Sequence, residues 1–213
     1  QGGTGRFWLN SAGGTQAAGT AFALDTGASA TNAQDFILGE WDATSGNRKL
    51  TLSSLTGYGT IRTDAGGAGA RNLVVDQSGG DTTFNGMLLS HRSGAGVDRE
   101  IAFEKKGTST LVMAGIVGSQ TASASGTAAL TITVSGGTLE LNAANTYTGA
   151  TIVNNGGTLK LGNASALGVT AAGTTVNSGG MLDLNGQTIG AEALTLAGTG
   201  ISGSGALVNS SAT

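Results

Sequence analysis

One seven-residue phrase recurs three times and constrains this chain more than any other feature. Ser135-Gly136-Gly137-Thr138-Leu139-Glu140-Leu141 returns as Asn155-Gly156-Gly157-Thr158-Leu159-Lys160-Leu161, then as Ser178-Gly179-Gly180-Met181-Leu182-Asp183-Leu184. Each copy is a polar residue, two glycines that permit a tight turn or a positive φ, and a strand with one face of leucines. Leu139 and Leu141, Leu159 and Leu161, and Leu182 and Leu184 point one way, while Thr or Met and the charged residue point the other. The phrase predicts a half-buried strand returning at a nearly fixed interval, with those six leucines as the repeat core.

Between the copies lie Ala150-Thr151-Ile152-Val153, Thr174-Thr175-Val176 and Ala193-Leu194-Thr195-Leu196, bounded by Gly, Asn or Ser. Two or three short strands per period, with no helical periodicity, predict one coil of a β-solenoid, whose stacked coils share a thin core that no coil buries alone. The expected class is all-β, a single-stranded right-handed parallel β-helix. Upstream, Lys49-Leu50-Thr51-Leu52, Gly59-Thr60-Ile61, Asn72-Leu73-Val74-Val75, Thr82-Thr83-Phe84, Ile101-Ala102-Phe103 and Thr110-Leu111-Val112-Met113 read as degenerate coils. At ~22 residues per coil the chain makes nine or ten coils, a rod on the order of 45 Å long.

Composition agrees. Of 213 residues 39 are Gly and none is Pro, and a chain without Pro keeps its ladder donors, as strands paired on both edges require. The absence of Cys excludes disulfides and thiolate metal sites. No apolar run approaches a membrane-spanning helix. Gln1-Gly2-Gly3 at the start and Ser210-Ser211-Ala212-Thr213 at the end point to a processed subunit or a fragment.

Only Glu140, Lys160, Asp183 and Glu192 carry charge beyond Lys106, and only Tyr147 is aromatic there. Residues 1–48 are therefore expected to form an N-terminal cap with the first irregular coils, Phe7 and Trp8 among its aromatics, and residues 49–213 a shaft whose clearest repeats run over 101–186. Solenoid ends need covering; an uncovered end presents a strand edge that templates another chain. Phe7, Trp8 and the apolar stretch Ala206-Leu207-Val208 are thus candidates for a cap or an assembly edge.

The run from Asn145 through Ala164, with Phe103 through Gly115 ahead of it, resembles the autotransporter-associated β-strand repeat. That family occurs in bacterial autotransporter passengers and in large repetitive surface or secreted proteins. The resemblance implies a right-handed parallel β-helix with a structural or adhesive role outside the cell, and it brings no catalytic residues with it. No membrane-spanning barrel pattern follows.

Chemistry-bearing motifs are sparse. Gly198-Thr199-Gly200-Ile201-Ser202-Gly203 spells a dinucleotide fingerprint, but the sequence beyond it offers no helix to meet a pyrophosphate. Gly66-Gly67-Ala68-Gly69-Ala70-Arg71 approaches a calcium-binding turn, yet Arg71 stands in the ligand position. His91, with Arg92, Asp98, Arg99 and Glu100, reads as a solvated loop between Leu89 and Ile101. Asp25, Asp35, Asp42, Asp64, Asp76 and Asp81 do not repeat with the coil. Lys105-Lys106 is too short a basic patch for nucleic acid in a chain with a sequence pI near 5.0. Thr131-Ile132-Thr133 and Thr146-Tyr147-Thr148 do not recur in register as an ice-binding face requires.

The expected function is a non-enzymatic extracellular or bacterial cell-surface rod without cofactor or metal. It joins other copies into a homo-oligomer or filament by end-to-end strand pairing, and it has a host surface or glycan as a further partner. Two alternatives stand beside it: a carbohydrate-binding or polysaccharide-degrading β-helix, for which Trp8, Trp41 and Tyr58 are the aromatic candidates, and a passive stalk of a larger adhesin.

Overall fold

The computed structural model describes the strand backbones at 7–8, 21–24 and 35–38, together with residues 48–63, 70–92, 98–119 and 129–211. The chain is a parallel β-solenoid. Each full coil visits three sheets in a constant order, and every coil lays its strands beside those of the coil before.

Sheet I comprises β4 (Arg48–Leu52), β7 (Arg71–Asp76), β11 (Ile101–Lys106), β14 (Leu130–Val134), β16 (Thr151–Val153), β18 (Thr174–Val176) and β20 (Leu194–Leu196). Sheet II comprises β2 (Ala21–Leu24), β5 (Ser54–Gly57), β8 (Thr82–Phe84), β12 (Thr110–Met113), β15 (Gly137–Leu141), β17 (Gly157–Leu161), β19 (Met181–Asp183) and β21 (Leu207–Val208). Sheet III holds β1 (Phe7–Trp8), β3 (Asp35–Leu38), β6 (Thr60–Thr63), β9 (Met87–Arg92) and β13 (Val117–Ser119), with β10 (Asp98–Arg99) folded back on β9.

The coil is longer upstream than the repeat phrase predicts. Leu111 pairs with Leu139 and Phe103 with Ile132, both wider steps along the chain than those from Leu139 to Leu159 and from Leu159 to Leu182. Upstream coils carry a strand of sheet III, whereas past β13 the ladder continues among the described residues only as the isolated bridge of Gly118 with Thr146 and a few side-chain hydrogen bonds. The step from Leu50 to Leu73, which carries β6, is no wider than that from Leu159 to Leu182, so a strand of sheet III lengthens some coils and not all. Among the described residues the longest sheet therefore has eight strands, not nine or ten, and at about 4.8 Å per strand it spans roughly 34 Å rather than about 45 Å.

Strand parity sets the core. In β14 the buried residues are Leu130, Ile132 and Val134, and in β17 Leu159 and Leu161, with polar residues alternating outward. Successive coils stack these positions into columns, such as Leu111, Leu139, Leu159 and Leu182, each fully buried. Leu141 and Leu161 are likewise buried, and Leu184 is partly buried against the same cluster.

His91 and Arg92 belong to strand β9, and Asp98 and Arg99 to β10; the two strands pair antiparallel with His91 opposite Arg99. The expected loop is thus a hairpin arm, the one antiparallel ladder among the described strands. Charged residues at successive positions hid any alternation in the sequence. The backbones of β1, β2 and β3 continue sheets III, II and III of the shaft in register. The packing of Phe7, Trp8 and Trp41 lies outside the described residues.

Candidate functional site

The repeat glycines build the corner between sheets I and II, and they do so in two ways. Gly156 has φ 79° with open space around it, so backbone conformation alone requires glycine there. A Cβ on Gly157 would collide with the Val134 carbonyl oxygen, so at that position the close approach of the neighbouring coil requires it. Gly179 repeats the positive φ, with the Asn155 side chain where its Cβ would lie, and Gly180 repeats the close approach to a carbonyl, that of Val153, whereas in the first copy the positive φ falls on Gly137 rather than Gly136. That corner is one residue shorter: Val134 leads to Gly137, but Val153 leads to Gly157, its partner in register.

A line of polar side chains runs along this corner. Asn177 Nδ2 donates to Asn154 Oδ1 at 2.8 Å, Asn154 Nδ2 to Ser135 Oγ at 3.2 Å, and Ser135 Oγ to Glu104 Oε1 at 2.7 Å. Ser135, Asn154 and Asn177 each follow directly after the last core residue of a sheet I strand, which is the signal in the sequence that would have found them.

At the corner after β7 the loop Gln77–Asp81 is pinned at many points. Gln77 is fully buried; its Nε2 donates to the carbonyls of Gly80 and Thr110, and its Oε1 accepts from Thr82. Gly80 N–H donates to Ser109 Oγ, and Thr110 N–H to Asp81 Oδ1 at 2.7 Å. A groove of about 520 Å³ lies here, lined by Ser53, Ser54, Ser78, Thr82, Asp76 and Asp81.

Behind the loop sits Lys105, with 0 % of its surface exposed. It occupies a sheet I column between Val75 and Val134, and its Nζ donates to the carbonyls of Lys106 and Gly136. Burial holds its pKa below the ordinary lysine value, opposed by the nearby charges of Asp76 and Asp81. The Lys105-Lys106 pair is accordingly not a surface patch: Lys105 faces inward and Lys106 outward.

A second polar cluster enters the core near the C-terminal coils. Tyr147, almost fully buried, shares a 2.8 Å hydrogen bond with Thr151, and burial drives its hydroxyl pKa well above the usual phenol range. Thr174 Oγ1 donates to Glu192 Oε1 at 2.8 Å. Asp183 accepts from the hydroxyl and N–H of Ser210 and from Asn185 N–H. Burial alone would raise its pKa; those hydrogen bonds, with Lys160 beside it, hold it below the ordinary value.

The C-terminal end is the third feature. Leu207 continues the column Leu139–Leu159–Leu182 and Leu196 the column Val134–Val153–Val176, yet they are 37 % and 43 % exposed. Ala206, the residue before Leu207, is buried, and Val208 half-buried. The fingerprint-like glycines at 198–203 form a turn with a short 3-10 segment, Ile201–Gly203, before β21.

Among the described residues no group of three or more His, Asp or Glu side chains is placed to hold a metal ion. No helix among them is long and apolar enough to cross a membrane. Of the aspartates considered from the sequence, the structure brings Asp76 and Asp81 to one groove; Asp25, Asp42 and Asp64 lie outside the described residues. No protein-family model matches the chain, and no curated protein or solved structure matches it.

Proposed function

We propose that this chain is a non-enzymatic structural rod that acts outside the cell, at a bacterial surface or in a filament, and that joins other copies end to end. The observation that supports this reading is the open C-terminal coil. Core columns that are sealed in the preceding coils end in Leu196 and Leu207, exposed beside the outer edges of β20 and β21. Apolar columns and unpaired strand edges at one place are what another parallel strand seals. The resemblance of residues 101–186 to autotransporter-associated repeats supports the surface location and an adhesive role. Sedimentation velocity over a concentration series tests it: the account expects mass to grow with concentration, and a constant monomer mass would contradict it.

A carbohydrate-binding or carbohydrate-cleaving reading is favoured by one observation, the groove holding Asp76 and Asp81, with Tyr58 exposed on the neighbouring coil. Binding on a glycan array that disappears in Asp76→Asn and Asp81→Asn variants would support that second reading; an array without signal would remove it.

A further inference from the structure

We propose that Asn85 is a site of spontaneous covalent modification: its side chain closes on the nitrogen of Gly86 and converts to aspartate or isoaspartate, while the other two Asn-Gly pairs of the chain stay intact. This inference goes beyond the rod reading above and does not depend on it.

Three asparagines in the sequence precede glycine: Asn85, Asn155 and Asn185. A following glycine has no Cβ to block a side chain that folds back over its own peptide, so all three have the sequence for the reaction. The fold separates them.

The reaction needs an asparagine side chain free to turn and a following peptide N–H open to base. At Asn155 the second condition fails, because Gly156 N–H donates to the Gly179 carbonyl at 2.9 Å. At Asn185 both fail. Gly186 N–H donates to Asn209 Oδ1 at 2.6 Å, and Asn185 Nδ2 donates to the Leu161 carbonyl at 2.9 Å. Each of these N–H groups reacts only after a local opening breaks its bond.

Asn85 meets both conditions. Its side chain is exposed and makes no hydrogen bond, and Gly86 N–H has no acceptor among the described residues. The peptides on either side are held: Asn85 N–H donates to the Gly57 carbonyl and Met87 N–H to that of Gly59, both at 2.8 Å. One free N–H thus lies between two bonded ones, beside the one reactive side chain of the corner.

In the first step hydroxide removes the Gly86 amide proton and the nitrogen attacks Asn85 Cγ. The new N–Cγ bond closes a five-membered succinimide, and the side-chain nitrogen leaves as ammonia, taking a proton back from water. Water then opens the ring at one of its two carbonyls. Opening at Cγ leaves aspartate in an ordinary peptide link; opening at the Asn85 carbonyl carbon leaves isoaspartate, whose main chain runs through Cβ and Cγ. The sum is one water in and one ammonia out, with no oxidant or reductant.

The two products suit this corner differently. Gly59, Gly86 and Gly115 stack on successive coils: a Cβ on Gly86 would collide with the Gly59 carbonyl oxygen, and one on Gly115 with that of Gly86. Isoaspartate lengthens the main chain where the coils leave no room for a methyl group. Aspartate keeps the main chain and puts a carboxylate on a corner, residues 58–60, 85–87 and 114–116, that has no charged side chain.

Trypsin places each pair on its own peptide, 72–92, 107–160 and 161–213. The folded chain and the chain in urea are held in mildly alkaline buffer and digested at intervals. Mass spectrometry follows the gain of about one dalton, and fragmentation locates it. In the folded chain Asn85 is expected to convert at least tenfold faster than Asn155 or Asn185, and in urea the three rates are expected to converge. An Asn85→Gln variant, whose ring would need six members, is expected to keep the circular dichroism spectrum and abolish conversion in peptide 72–92. Three results would each overturn the proposal: Asn155 or Asn185 leading in the folded chain, Asn85 intact there while the unfolded chain converts, or the same spread of rates in urea.

Discussion

Asn145 Oδ1 accepts the N–H of Val117 at 2.8 Å, and Asn145 Nδ2 donates to the carbonyl of Ala166 at 2.7 Å. One side chain thus does between coils what a peptide group does inside a sheet. Val117 opens β13, where sheet III stops; Ala166 lies in the irregular turn of the following coil. The amide lets the solenoid lose a sheet without leaving the last strand of that sheet unpaired at this position.

Asn145 is buried, so replacing it with Ala would strand a donor on one coil and an acceptor on the next. Each uncompensated buried group costs on the order of 1–3 kcal/mol, so Asn145→Ala is expected to lower unfolding free energy by about 2–4 kcal/mol, read as a shifted urea midpoint. Asn145→Asp, which buries a carboxylate against the Ala166 carbonyl, should cost at least as much as the Ala variant at pH 7, with part of the loss recovered as falling pH protonates the carboxyl.

The two glycines of a repeat corner should respond differently. Gly156→Asn meets open space and a residue type that tolerates positive φ, and should cost about 1 kcal/mol or less. Gly157→Ala drives a methyl into the Val134 carbonyl of the neighbouring coil and should cost more, about 2–3 kcal/mol, because backbone must shift. Thermal unfolding of the two variants side by side measures the difference.

Lys105 carries a charge into an apolar column. Its pKa is lower folded than unfolded, so the unfolded chain holds the proton more tightly, and stability rises as pH climbs from the folded value toward about 10.4. The native protein should therefore unfold at a higher temperature near pH 10 than near pH 7, for this residue's part. Lys105→Met should unfold at a higher temperature than native at pH 7, by the equivalent of on the order of 1 kcal/mol, and lose that rise.

Asp183 works in the opposite sense. Its folded pKa lies below the ordinary value, so its contribution is fully present above about pH 4 and disappears as pH falls through the folded pKa. Thermal unfolding followed from pH 6 to pH 2 should show an acid-side loss that Asp183→Asn flattens, with the variant already less stable at pH 6.

Much of this was legible in the residues. The parity of Leu139, Leu159 and Leu182 announced the inward face, and Gly, Asn or Ser turn formers bounded the repeat strands. Coil length was not legible upstream, because the strands of sheet III, such as Met87–Arg92, carry no repeated phrase to mark a third turn. Lys105 illustrates a different failure. The alternation Ile101, Phe103, Lys105 put it inside by the same parity that placed the leucines, but a lysine's hydration cost argues for the surface, and tertiary context prevailed. Asn145 had no local sign, since both its partners lie on other coils. The exposure of Leu207 was legible only as an apolar stretch; its meaning came from the sealed column beneath it.

The central claim is that the solenoid continues from copy to copy, and negative-stain electron microscopy of the protein at several concentrations tests it most directly. The account predicts unbranched filaments, one solenoid wide, lengthening with concentration. Isolated short rods at every concentration would contradict it.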